Sequence, residues 1–97
     1  MKIDLNFPDF QKELFKLERN ELFAFIKTLK ILSRMDFDQF RRSPGLNLEK
    51  LKNIKTRKGL PIYSIRISRS FRAILSMEGE YLRFISLHPD HDSAYEK

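Results

Sequence analysis

The sequence predicts one α+β domain, residues 1–97, in which helices pack on one face of an antiparallel sheet of about four strands. Apolar residues recur with helical spacing in the first third of the chain. In the last third they alternate with polar residues, which is the period of a strand. The length of 97 residues suits a single modest core, and nine phenylalanines supply apolar volume for it.

The first elements are predicted to be an edge strand and a helical hairpin. Every second residue of KIDLNF is apolar, which indicates a short strand. After Pro8 the apolar residues recur at i, i+4 and i+7, which indicates an amphipathic helix. Asn20 is interpreted as the N-cap of a second helix, whose apolar stripe ends at Leu32.

The second half of the chain changes its period. The segment 35–59 is less regular, contains Pro44, Gly45 and Gly59, and is expected to be mostly loop. The stretches IYSIRIS, FRAILSM and YLRFISL then alternate as strands and predict an antiparallel meander. A tight turn at Glu78 and Gly79 is expected between the last two strands.

Positive charge is concentrated in the middle of the chain. Residues 1–40 carry seven basic and seven acidic side chains, residues 41–72 carry ten basic side chains against Glu49 alone, and residues 73–97 carry two basic against five acidic. Such a basic block is typical of a polyanion-binding protein, since Lys and Arg neutralise phosphates. The alternative is a solvated basic face that maintains solubility.

Composition excludes several kinds of chemistry. The chain has no cysteine, so disulfides, thiol nucleophiles and cysteine-ligated zinc sites are excluded. No apolar run is long enough for a signal peptide or a membrane span. We therefore expect a cytoplasmic protein that does not contact a membrane.

The stretch LHPDHDSAYEK brings several polar side chains together at the C-terminal end. We expect this tail to fold back over the sheet face that the helices leave open. Arg66 and Arg72 are predicted on that open face, and guanidinium groups can bind phosphate oxygens in pairs. The sequence therefore predicts a phosphodiester site between the open face and the tail.

The motifs at this site resemble those of the RelE/ParE superfamily of toxins from bacterial type II toxin–antitoxin systems. The stretches YSIRISRSFRAI and LHPDHDSAY, with LEKLKN before the sheet, carry the resemblance, and the element order agrees over nearly the whole chain. The terminal stretch is similar to the branch of the family that ends in a His/Asp-rich segment followed by Ala-Tyr. The resemblance implies a RelE-like fold.

The resemblance also implies an activity, that of an mRNA interferase. RelE-like members enter the ribosomal A site and cleave mRNA there. A ribose 2′-OH attacks the adjacent phosphate and leaves a cyclic phosphate and a free 5′-OH, which implies no metal and no cofactor. The reaction needs a base near the 2′-OH, cations around the phosphorane and an acid for the leaving oxygen.

Three site residues match the family motif. Arg72 matches the arginine that follows the aromatic residue, and Arg66 matches a basic position on the preceding strand. Tyr95 matches a near-terminal tyrosine that stacks on a base or assists proton transfer. Further contacts with the substrate are expected from five side chains: Lys52, Lys58, Arg69, His88 and Asp92.

The base is not given by the resemblance. RelE has a pair of lysines on the strand where this chain has Ser64 and Arg66, so the acid/base role of the lysine does not transfer to Ser64. We expect His91 to be the base, because an imidazole transfers protons near neutral pH. His88 is the second choice.

Less specific interpretations of the same residues remain open. His88 and His91, with Asp90 or Asp92, have a spacing that a metal site can use, although no metal is expected. The tail can instead be solvated, and the arginines can form cross-strand ion pairs with Glu78 or Glu80.

Two other functions are compatible with the same fold. One is a ParE-like toxin that acts on DNA gyrase without cutting RNA, and the other is a catalytically silent binding module. The toxin interpretation also predicts a partner, an antitoxin whose acidic or amphipathic segment covers the basic surface.

Overall fold

A computed structural model describes residues 1–89 and shows an α+β fold, which confirms the predicted class. Five strands form one sheet, and helices cover one of its faces. In chain order the elements are β1 (Lys2–Asp4), α1 (Pro8–Leu14), α2 (Arg19–Ser33), α3 (Phe37–Arg42), a 3-10 turn (Pro44–Leu46), β2 (Glu49–Lys55), β3 (Pro61–Arg66), β4 (Arg72–Glu78) and β5 (Tyr81–His88).

The sheet order is β1-β5-β4-β3-β2, so that β1 and β2 form the two edges. The predicted meander is present as β3, β4 and β5, and Gly79, at a φ of 61°, lies in the turn between the last two. The structure adds a fifth strand and pairs β1 with β5 in parallel, whereas all other neighbours are antiparallel. Side chains alternate with a period of two in parallel and in antiparallel strands, so alternation could not predict that β1 and β5 are parallel.

The segment predicted to be mostly loop contains α3, the 3-10 turn and β2, so that prediction is wrong. α3 begins with a capping box. The Gln39 backbone N–H donates to the Asp36 side chain at 2.8 Å, and the Asp36 backbone N–H donates to the Gln39 side chain at 2.9 Å. The alternation of β2 is obscured because its register with β3 shifts between Lys50 and Lys55, with Asn53 at a φ of 63°.

The second helix begins earlier than predicted. Its N-cap is Glu18, and the Glu21 side chain accepts from the Glu18 backbone N–H at 2.8 Å. Asn20 is therefore a helical residue rather than the N-cap, although its amide oxygen accepts from the Glu21 N–H at 3.0 Å.

Three phenylalanines join the helices to the sheet. Phe10 on α1, Phe25 on α2 and Phe84 on β5 are fully buried, with ring centroids 5.4–5.8 Å apart. The α1 side chain of Glu13 also accepts a hydrogen bond from the Leu87 backbone N–H at 3.1 Å, beyond the point where β1 ends. The helical hairpin is thereby fixed to one face of β5, and the opposite face of the sheet is left without helices. None of the helices within residues 1–89 is long and apolar enough to cross a membrane.

One ion pair links β1 to β5. The Arg83 Nε atom lies 2.9 Å from the Asp4 Oδ2 atom, and the Asn6 backbone N–H donates to Asp4 Oδ1 at 2.9 Å. These two hydrogen bonds lower the pKa of Asp4 below its usual 3.8, and the bond from Asn6 has the larger effect.

Replacing Asp4 with Asn is expected to lower the free energy of unfolding by about 1 kcal/mol at neutral pH, since the half-exposed Arg83 is screened by solvent. The pKa of Asp4 is lower in the folded chain than in the unfolded chain. The contribution of the Asp4 carboxylate to the free energy of unfolding is therefore complete above about pH 4, and it is lost as the pH falls through the pKa of Asp4 in the folded chain. Urea unfolding of the wild-type protein and of Asp4→Asn at several acid pH values should give free energies of unfolding that converge at low pH. Asp9→Asn, at an exposed aspartate without a hydrogen-bond partner in the described chain, is the control, and an equal effect there would contradict the assignment.

Candidate phosphate-binding site

The open face of the sheet carries a row of three charged or titratable side chains on adjacent strands. Arg66 on β3 lies directly opposite Arg72 on β4, and Arg72 lies directly opposite His88 on β5. Alternation along each strand turns these three side chains away from the buried face, where Ile65, Ala73 and their neighbours contact the helices. Adjacent strands are about 4.8 Å apart, so the row spans about 10 Å. This Arg66–Arg72–His88 row contains the two arginines that the sequence predicted for phosphate, with Arg72 in the middle and His88 at one end.

Two arginines directly opposite each other on neighbouring strands repel, which is unfavourable for folding. Among the residues that the structure describes, one carboxylate lies near the pair, that of Glu49, whose Oε1 atom is 4.0 Å from the Nη2 atom of Arg72. Arg66 is exposed and has no ion-pair or hydrogen-bond partner within residues 1–89. The row therefore has an excess of positive charge that a bound anion would neutralise.

The guanidinium of Arg72 is held in a fixed orientation. Its Nε atom donates to the Ser64 hydroxyl at 2.8 Å, and Nη2 donates to the Asn47 backbone carbonyl at 3.3 Å. The side chain is 23% exposed. Because these contacts use Nε and Nη2, the Nη1 atom is left for a ligand, with no hydrogen-bond acceptor in the described part of the chain.

His88 is positioned by the neighbouring residue on the same face. Its Nε2 atom lies 3.0 Å from the Ser86 hydroxyl, and both side chains are on the open face because β5 has a bulge beside Ile74 and Leu75. The hydrogen bond to Ser86 fixes one ring nitrogen, which leaves Nδ1 as the second position for proton exchange.

The remaining basic residues of the prediction lie apart from the row. Arg69 is exposed in the connection between β3 and β4, which joins Arg66 to Arg72. Lys52 is on the edge strand β2, and the Nζ atom of Lys58 is 2.9 Å from Glu78 at the opposite end of the sheet.

Ion pairing with Glu78 or Glu80, the alternative for the arginines, is not what the structure shows. Glu78 contacts Lys58 and Arg83, and Glu80 contacts Lys2 at 3.4 Å. Within residues 1–89, Arg72 is the one of Arg66, Arg69 and Arg72 that has a carboxylate within reach, and that carboxylate belongs to Glu49.

Four residues of the predicted tail site, Asp90, His91, Asp92 and Tyr95, lie outside the described residues. Their predicted roles stay predictions. Within residues 1–89 no group of three potential ligands is arranged to hold a metal ion.

Sequence reasoning missed the side chains that orient the row. Ser64, Ser86 and the Asn47 carbonyl have no distinctive sequence signal, since a serine at every second strand position is ordinary for a solvent-facing strand. Register was the missing information. Ser64 shares a face with Arg66 by alternation, and the pairing of Arg66 with Arg72 is what brings the Ser64 hydroxyl within 2.8 Å of Arg72 Nε.

Comparison with solved structures gives a similar chain, a copper-bound mutant toxin from Helicobacter pylori. The match has a TM-score of 0.53 and 20% sequence identity, and it covers 98% of this chain and 99% of that chain. The two chains share a fold. No protein-family model and no curated protein matches the sequence. At this identity the similarity establishes the common fold, consistent with the RelE-like fold expected from the sequence, and activity has to be argued from the site.

Proposed function

We propose that this protein is the toxin of a type II toxin–antitoxin system and that it cleaves mRNA in the ribosomal A site. The observation that carries the proposal is the Arg66–Arg72–His88 row on the open face. Two guanidinium groups, with one carboxylate, Glu49, near them among the described residues, can stabilise the charge of the phosphorane, and the imidazole beside them can act as the base. The shared fold with a bacterial toxin supports the same conclusion.

The proposed step is an internal transesterification. The 2′-oxygen of one ribose forms a bond to the adjacent phosphorus while the bond from phosphorus to the 5′-oxygen breaks, which gives a 2′,3′-cyclic phosphate and a 5′-OH. A base removes the 2′-OH proton, and an acid supplies a proton to the 5′-oxygen. Arg72, held by Ser64 and Asn47, donates to the charged phosphoryl oxygens together with Arg66.

Two imidazoles compete for the role of base. His88 lies beside Arg72 in the row, whereas His91 is favoured by the sequence pattern. If His88 is the base, the His88→Ala variant should lose about 10²- to 10⁴-fold in cleavage rate, and the His91→Ala variant much less. The opposite order would assign the base to His91, as the sequence predicts.

The measurement is the mapping of 5′-OH ends in cellular mRNA after induction of the wild-type chain and of each variant in bacteria. New ends within translated frames support the proposal. Intact messages with arrested growth would contradict it and favour gyrase as the target. Intact messages with normal growth would leave a silent binding module.

We also propose a cognate antitoxin as the partner. A basic open face is one surface for it, and the outer side of the helical hairpin is another, since Phe15 and Phe23 are exposed there with Leu22 and Ile26 beside them. Contiguous exposed apolar side chains mark interaction sites. Co-expression with the neighbouring open reading frame should give a single complex on size exclusion, and separate species would count against this partner.

A further inference from the structure

A groove lies on the open face at the end opposite the row. Its volume is about 620 Å³. Apolar side chains form its floor and basic side chains form its rim. The apolar residues are Phe7, Leu60, Ile62 and Ile85, and the charged residues are Lys55, Arg57, Lys58, Glu78 and Arg83.

Local backbone geometry places the apolar floor. Ile85 follows the buried Phe84 on β5, and alternation turns its side chain to the opposite face, where it lines the groove. Phe7 precedes α1 and remains 39% exposed, although most phenylalanines of this chain are buried. The groove therefore presents an aromatic ring to an incoming ligand.

The rim of the groove is electropositive. Glu78 is its one acidic side chain, and it is neutralised by Lys58 at 2.9 Å and by Arg83 at 3.7 Å. The hydrogen bond from Lys58 lowers the pKa of Glu78, which keeps the carboxyl ionised and paired. Lys55 and Arg57 have no carboxylate partner within residues 1–89. In the described part of the chain, these two cations are therefore positioned to bind an anionic ligand.

The groove and the row lie on one continuous surface. Ile62 in the groove and Arg66 in the row are four residues apart on the same face of β3, which corresponds to about 13 Å along the strand. Stacked nucleotides advance about 3.4 Å each, so about four of them, or fewer when the strand is stretched, cover this distance.

We propose that the groove is a second RNA subsite, in which a base stacks on Phe7 while Lys55 and Arg57 contact the flanking phosphates. A single strand of mRNA held at the row would continue across the open face into the groove. Aromatic rings combined with a basic channel are the usual means of binding single-stranded nucleic acid. This subsite rests on the proposed function, because it takes the same substrate. An acidic segment of a protein partner is the other occupant that the charge would accept.

The test compares oligonucleotides of two lengths. Fluorescein-labelled oligodeoxyuridylates of two and of eight nucleotides lack the 2′-OH, so they cannot be cleaved by the proposed step. Only the longer one reaches both the row and the groove. Binding is measured by fluorescence anisotropy at one fixed low salt concentration. The ratio of the two affinities is the quantity of interest. Both oligonucleotides bind the row, so a change in affinity for the row alters both affinities equally and leaves their ratio unchanged.

The Phe7→Leu variant keeps the apolar volume and removes the aromatic ring. We expect it to lower the ratio about 5- to 100-fold, whereas Phe7→Trp retains or raises it. Phe37→Leu, at a phenylalanine on α3 that is 42% exposed, is the matched control and should keep the wild-type ratio.

Two outcomes would overturn the subsite. One is a wild-type protein that binds both lengths equally, and the other is a Phe7→Leu variant with an unchanged ratio. If that variant also loses its complex with the co-expressed antitoxin, the groove would be assigned to a protein. Because these oligonucleotides are not cleaved, a chain that leaves cellular mRNA intact but shows the expected ratios would refute the interferase and not the subsite.

Discussion

Replacement of Arg72 with alanine is expected to lower the rate of RNA cleavage by about 10²- to 10³-fold, the loss typical of one preorganised donor to a developing oxyanion. The guanidinium is fixed before substrate arrives by the Ser64 hydroxyl and the Asn47 carbonyl. A lysine at this position retains the charge, but its donors are all on one nitrogen, whereas the Ser64 and Asn47 contacts and the phosphate contact use three separate nitrogens of Arg72. Arg72→Lys should therefore recover only part of the activity.

The measurement for Arg72 is single-turnover cleavage of a programmed ribosomal complex, together with thermal unfolding of each variant. Loss of the hydrogen bond to buried Ser64 should cost about 1 kcal/mol, too little to unfold the protein. Arg66→Ala is the informative comparison. It removes the like-charged neighbour of Arg72, so cleavage should fall while stability is unchanged or slightly raised. An Arg72→Ala protein that is folded and cleaves at the wild-type rate would refute the assignment.

Replacement of Phe84 with alanine is expected to lower the free energy of unfolding by about 3–5 kcal/mol. The ring is fully buried and contacts the rings of Phe10 and Phe25, so its removal leaves a cavity between the sheet and both hairpin helices. In a domain of this size that loss corresponds to a fall in Tm of at least about 12 °C.

Differential scanning calorimetry of the Phe84→Ala protein tests this expectation. Phe23→Ala makes the same chemical change at a side chain of α2 that is 65% exposed. It should change the free energy of unfolding by less than about 0.5 kcal/mol. Equal effects of the two substitutions would show that the aromatic cluster does not join helices to sheet.

The sequence was sufficient to predict the helical hairpin, the three-strand meander and the face that carries Arg66 and Arg72. Each depends on local periodicity, and the alternation in β3 is regular enough to assign both faces. β2 escaped prediction because its register shift and the positive φ of Asn53 break the period of two. The capping box of α3 was a readable signal in DFDQ that was overlooked.

The site was predictable only in part, for a physical reason. Residue types suggested phosphate binding, but which residues meet depends on register between strands that are distant in sequence. His88 was ranked below His91 because the sequence does not reveal that it lies opposite Arg72. The groove at Phe7 was not predicted at all, since its lining combines Phe7, the β2–β3 connection and β5, which are distant in sequence.

The edge strand β2 has a consequence for self-association. An unpaired strand edge is a template for pairing with another chain, and β2 lies at the outer limit of the sheet. Its exposed Lys50, Lys52 and Lys55 would face the same three lysines if a second copy added antiparallel to it. Charge therefore opposes edge-to-edge growth into aggregates, while a strand rich in glutamate or aspartate would meet no such barrier.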